Sequence, residues 1–164
     1  MMDLINYIRE KQNELVLMIN STFDEIVGEV EKNYTEKEYY EKEYETTYPI
    51  TSPSSFKGKK PIAVLFNEER VITSTWKNVV KTILQRVITD ETMKKKLQAL
   101  SNRLLGRVRK RLSNTSEDMR SPIEICDGLY IETHYDTIML MDLLLQILNE
   151  INYDYSNIKI VIKN

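Results

Sequence analysis

Between residues 3 and 33 the apolar side chains return at the spacing of an α-helix, and no proline interrupts them. Leu4, Ile8, Leu15, Ile19, Ile26 and Val30 share one face, and Val16, Phe23 and Val27 widen it. Gly28 is the only weak helix former in the run. A heptad seam fails at Gln12 and Thr22, so the stripe predicts packing on a domain or in a short bundle rather than an extended coiled coil. The next stretch, NYTEKEYYEKEYE at 33–45, holds five Glu and four Tyr. It either continues the helix, with Glu38 and Lys42 as an i,i+4 pair, or forms a looser acidic and aromatic arm. A solvated helix end is the plainer reading.

Residues 46–61, TTYPITSPSSFKGKKP, read as a linker, because three prolines among Ser, Thr, Gly and Lys break any period. Residues 62–164 then read as an α+β domain, with a small, mostly antiparallel sheet packed with about three helices. Ile62–Phe66 and Arg70–Thr73 form an expected hairpin around Asn67–Glu69. Ser74 or Thr75 should cap a helix to about Ile88, and Asp90 a second one ending near Gly106. Arg107–Leu112 alternates like a strand. Ile123–Ile125 and Leu129–Thr133 flank an Asp127–Gly128 turn. Thr133 or Asp136 should cap a third helix, Ile138–Ile151, and Ile158–Ile162 closes the domain as a strand. The organisation is therefore a helical arm at 1–45, a linker at 46–61 and the domain at 62–164.

Charge is sorted along this frame. Residues 1–50 hold 12 acidic and 5 basic side chains, residues 51–120 hold 6 and 16, and residues 121–164 hold 7 and 2. The near-neutral total of −2 hides that pattern, which bears on partners rather than on fold. The first residues carry acids and no basic run ahead of an apolar core, unlike a signal peptide. The greasiest stretch, Ile138–Leu148, is too short to span a bilayer and contains Asp142. Cys126 is the single cysteine, so no internal disulfide forms. A cytoplasmic protein without membrane contact is the expectation.

Three constellations could carry chemistry. The first is basic: Lys94, Lys95 and Lys96, then Arg103, then Arg107, Arg109 and Arg111 at alternate positions, extended by Lys110 and Arg120. Such arrays bind phosphate backbones through counterion release, and Arg adds forked hydrogen bonds. The second is Glu132, His134 and Asp136, which alternation would place on one side of a strand as a metal or proton-transfer site. His134 is the only histidine, and a strand-to-helix junction explains the trio better. The third is the acidic arm, Glu36, Glu38, Glu41, Glu43 and Glu45 among tyrosines, which could imitate a phosphate backbone. No phosphate-cradling glycine loop, nucleophile elbow or zinc-protease helix is present, so no catalytic residue, metal or cofactor is expected.

The phrases KGKKPIAVLF, TWKNVV, MRSPIEICDGLYIETHYDT and NYDYSNIKIVIK carry a resemblance. Residues 57–164 resemble a small domain of unassigned function found in short proteins of gut-type anaerobic bacteria and their mobile elements. The resemblance implies a setting in mobile-element biology, such as anti-CRISPR-like counter-defence, and no functional residue. The residues and this setting lead to a non-enzymatic macromolecule-binding protein that contacts nucleic acid or a nucleoprotein through the basic cluster, with a homodimer or docking function for the N-terminal helix. Two alternatives stand beside it. One is a protein inhibitor of a host-defence nuclease acting through the acidic arm. The other is a small metal-dependent or acid–base enzyme centred on His134.

Overall fold

The computed structural model describes residues 2–101, 103–106 and 110–163, with side chains for all of these except residue 2 and residues 33–43. The chain divides into two compact units, Met1–Tyr44 and Glu45–Asn164. The first is one helix, α1 (Met2–Glu43), 42 residues long. The acidic stretch therefore continues the helix as far as Glu43. Among the described side chains, Lys11 pairs with Glu14 at 2.6 Å, and the Thr22 hydroxyl donates to the Met18 carbonyl at 2.9 Å.

The second unit is an α+β domain built on two antiparallel sheets. Its elements are β1 (Glu45–Pro49), a 3-10 turn (Pro53–Phe56), β2 (Lys60–Phe66), β3 (Glu69–Ile72), α2 (Trp76–Val87), α3 (Glu91–Leu100), β4 (Leu112–Ser113), β5 (Pro122–Cys126), β6 (Leu129–Glu132), α4 (Thr137–Glu150) and β7 (Ile158–Lys163). The four-stranded sheet runs β1-β7-β2-β3 and the three-stranded sheet β4-β6-β5. Helix α2 packs on both β2 and β5, so it bridges the two sheets, and α4 packs on α2 and on the 3-10 turn. Val79, Val80, Ile83, Leu84 and Val87 of α2 meet Leu140, Met141, Leu144, Ile147 and Leu148 of α4 in one buried core. Each such side chain gains ~1.5–3 kcal/mol over exposure. That gain fixes which face of each helix turns inward.

Capping chemistry sets the helix starts. Thr75 accepts from the Asn78 amide at 3.2 Å. Asp90 accepts from Thr92 and Met93 at 2.7 and 3.2 Å, and Asp136 accepts from Met139 at 2.9 Å. The cap of α4 is therefore Asp136 and not Thr133. Gly128, at φ 67°, turns the chain between β5 and β6.

The structure revises three boundaries. Residues 46–61 are not a linker: most of β1 lies there, and β1 pairs along its whole length with β7. Phe56 from the same stretch is fully buried, 5.0 Å from the Trp76 ring and 6.3 Å from Tyr48. The prolines sit where they cost no ladder bond, in the 3-10 turn and near strand ends, which is why a breaker-rich stretch can still be structured. Helix α3 stops at Leu100, well before Gly106, because Ser101 turns extended (ψ 142°) and its hydroxyl takes the Gln98 carbonyl at 2.7 Å. Of the strand expected over 107–112 only Leu112 lies in β4, and residues 107–109 fall outside the described residues. Among the described residues no helix is long and apolar enough to cross a membrane.

A lysine-rimmed hollow as the candidate functional site

The basic residues singled out from sequence have varied surroundings. Lys94 pairs with Glu91 at 3.7 Å. Lys96 donates to the Ile151 carbonyl at 3.1 Å, at the C-terminal end of α4, where a cation is favoured by the helix dipole. Lys110 lies 4.0 Å from Asp118, and Arg111 donates to Gln146 at 3.3 Å. The Arg120 guanidinium is 3.4 Å from Nε2 of His134. Lys95 and Arg103 are exposed. Lys96 and Arg103 line one hollow of about 420 Å³, which also holds Glu150. Arg107 and Arg109 lie outside the described residues.

The second constellation does not converge. Glu132 is buried, and its carboxylate accepts the amides of Arg120, Ser121 and His134 at 2.6, 3.0 and 2.8 Å. Burial alone would raise its pKa, but the amides of Arg120, His134, Ser121 and Thr133 together outweigh that and hold it below the usual carboxylate range. The Thr133 hydroxyl also donates to the Ser121 carbonyl at 2.6 Å. Glu132 is thus the anchor of the loop before β5. Asp136 serves α4 as its cap, and His134 is exposed. Among the described residues no three His, Cys, Asp or Glu side chains gather to hold a metal.

The acidic arm is also divided. Glu36, Glu38, Glu41 and Glu43 belong to α1, and their side chains lie outside the described ones. Glu45 opens β1 and receives both terminal nitrogens of Arg70, at 2.9 and 2.8 Å. That fork joins the two edge strands of the larger sheet.

A different cationic group stands out in the fold. Strands β2 and β7 continue past the end of β3, which stops at Ile72. The step left at that corner is a hollow of about 830 Å³, lined by Gly58–Ile62, Ile72–Ser74 and Lys163. Its walls are largely apolar: Ile62, Pro61, the 73 % exposed Ile72 and the lysine stems. Lys60 and Lys163 are direct cross-strand partners, so their side chains leave the same face of the sheet. Glu45 is next in that row, opposite Lys163, but its oxygens are occupied by Arg70. Lys59, the third lysine of the lining, is set over the Tyr48 ring at 4.8 Å and donates to its hydroxyl at 3.2 Å. Trp76 donates to the Lys59 carbonyl at 2.9 Å, which fixes this segment to α2. Thr73, also in the lining, is buried, and its hydroxyl has no hydrogen-bond partner among the described residues.

Like charges placed directly opposite on adjacent strands destabilise a sheet. Lys60 and Lys163 form such a pair, and neither makes an ion pair among the described residues. Sequence inspection misses the site because Lys163 lies 103 positions after Lys60, and only the β2–β7 register brings them together. The available signal was the run KGKK. Comparison with family models, with characterised proteins and with solved structures returned no match.

Proposed function

We propose that the chain is a non-enzymatic macromolecule-binding protein whose second unit engages a phosphate backbone, with Lys60 and Lys163 as the central contacts. The observation that carries this reading is their cross-strand pairing, which leaves two cations facing one direction with no acid between them. An anion seated there would relieve the repulsion. Charge partition supports the same reading. Residues 1–44 hold 11 acidic and 5 basic side chains, and residues 45–164 hold 14 acidic and 18 basic. The chain therefore joins an acidic helix to a basic domain. The resemblance carried by residues 57–164 suggests mobile-element biology as the setting.

The test is anisotropy of labelled single- and double-stranded oligonucleotides across a salt series. Binding should weaken as salt rises. Replacing both lysines, Lys60→Gln with Lys163→Gln, should lower the slope of log K against log salt by about 2 on duplex and about 1.4 on single strand. An unchanged slope, or binding insensitive to salt, rejects the reading. No described side chain of the arm favours the inhibitor reading over this one.

A further inference from the structure

The apolar side chains of α1 repeat every eleven residues. Leu4, Leu15 and Ile26 form one row, Ile5, Val16 and Val27 a second, and Ile8, Ile19 and Val30 a third. Eleven residues fill three turns at ~3.67 residues per turn, close to a straight helix, so the rows run almost along the axis. This period explains why a heptad seam fails at Gln12 and Thr22. All nine side chains are between 50 and 63 % exposed. The stripe is about 40 Å long at the rise of an α-helix, and none of the described side chains of α1 belongs to the buried core. Helices draw most of their stability from covering such a face.

We propose that a second copy of α1 covers it, running antiparallel. The two outer rows, Leu4, Leu15 and Ile26 with Ile8, Ile19 and Val30, exchange places when the helix is reversed. With residue i of one copy opposite residue 34 minus i of the other, Leu4 meets Val30, Ile8 meets Ile26 and Leu15 meets Ile19. Charge then selects the direction. Residues 4–16 hold Glu10 and Glu14 against Arg9 and Lys11, a neutral half, whereas residues 18–30 hold Asp24, Glu25 and Glu29 and no base. A parallel pair in register sets Asp24, Glu25 and Glu29 each against its own copy. The antiparallel pair sets the neutral half against the acidic one, so the like pairs give way to a mixed set, Arg9 opposite Glu25 and Glu10 opposite Asp24.

Sedimentation equilibrium of the full chain should give twice the chain mass. Leu15→Glu with Ile19→Glu should return the monomer, while thermal unfolding followed by Trp76 fluorescence in the second unit stays unchanged. Direction is read by oxidising a Cys126→Ser chain carrying Leu4→Cys and Val30→Cys, then mapping tryptic disulfides. Positions 4 and 30 are too far apart to join within one helix. A peptide bearing position 4 joined to one bearing position 30 supports the proposal. Position 4 joined to position 4 overturns the antiparallel arrangement, and a monomer mass for the unaltered chain overturns the proposal outright. The salt-dependence test at Lys60 and Lys163 is independent of this outcome.

Discussion

Glu132 shows how one side chain can change meaning between sequence and fold. In YIETHYD it sits two residues before the only histidine and suggests chemistry. In the fold its two oxygens close the loop that precedes β5. Its folded pKa is lowered, so the ionised form is the one that stabilises the fold. That contribution is fully present above the pKa of an unfolded glutamate and is lost as pH falls through the folded value. Glu132→Gln should cost about 2 kcal/mol at neutral pH, lower the melting temperature by several degrees and flatten the acid limb of a stability-against-pH curve. An unshifted acid limb in the variant would show that another carboxylate sets it. His134→Ala, by contrast, should leave the melting temperature within a degree or two, because the ring is exposed. Phe56 makes the opposite point about a stretch that looks unstructured. Its ring is fully buried against Trp76, and Phe56→Ala should cost about 3–5 kcal/mol in denaturant unfolding. A loss below 1 kcal/mol would mean that residues 46–61 contribute little to the core.

At the scale of elements, the helices of the second unit were the most legible parts. Trp76–Val87 and Thr137–Glu150 each pair a capping residue with an unbroken apolar period, and both signals are local. Asp136→Ala should therefore cost about 1 kcal/mol, measured as a shift in the urea midpoint at constant m-value. Ends were less legible. Leu104 continues the apolar spacing of α3 and is buried, but it sits beyond the turn at Ser101, where its carbonyl accepts the Arg111 amide at 2.9 Å. Burial without helix looks identical to burial within one when only spacing is read. The lysines of α3 teach a related lesson. Cations in the first half of a helix are mildly unfavourable, and their partners prove to be internal for Lys94 and Lys96, an acid one turn away and the end of α4.

Over the whole molecule the division of charge coincides with the division of structure, an acidic helix followed by a basic domain. Lys60→Gln should leave the fold as stable as before or slightly more so, since it removes one of two facing cations. Chemical denaturation of that single variant separates a binding lysine from a structural one, because a structural lysine would cost stability when neutralised. The sequence by itself determined the α+β class, the long first helix, the Asp90 cap and the charge partition. Each depends on residues within a turn or two of one another, or on composition summed over a segment. Tertiary structure alone decided that residues 46–61 belong to a sheet, that Glu132 faces inward, and that Lys60 meets Lys163. Those facts depend on strand register, which pairs residues far apart in the chain through backbone hydrogen bonds that no local pattern encodes.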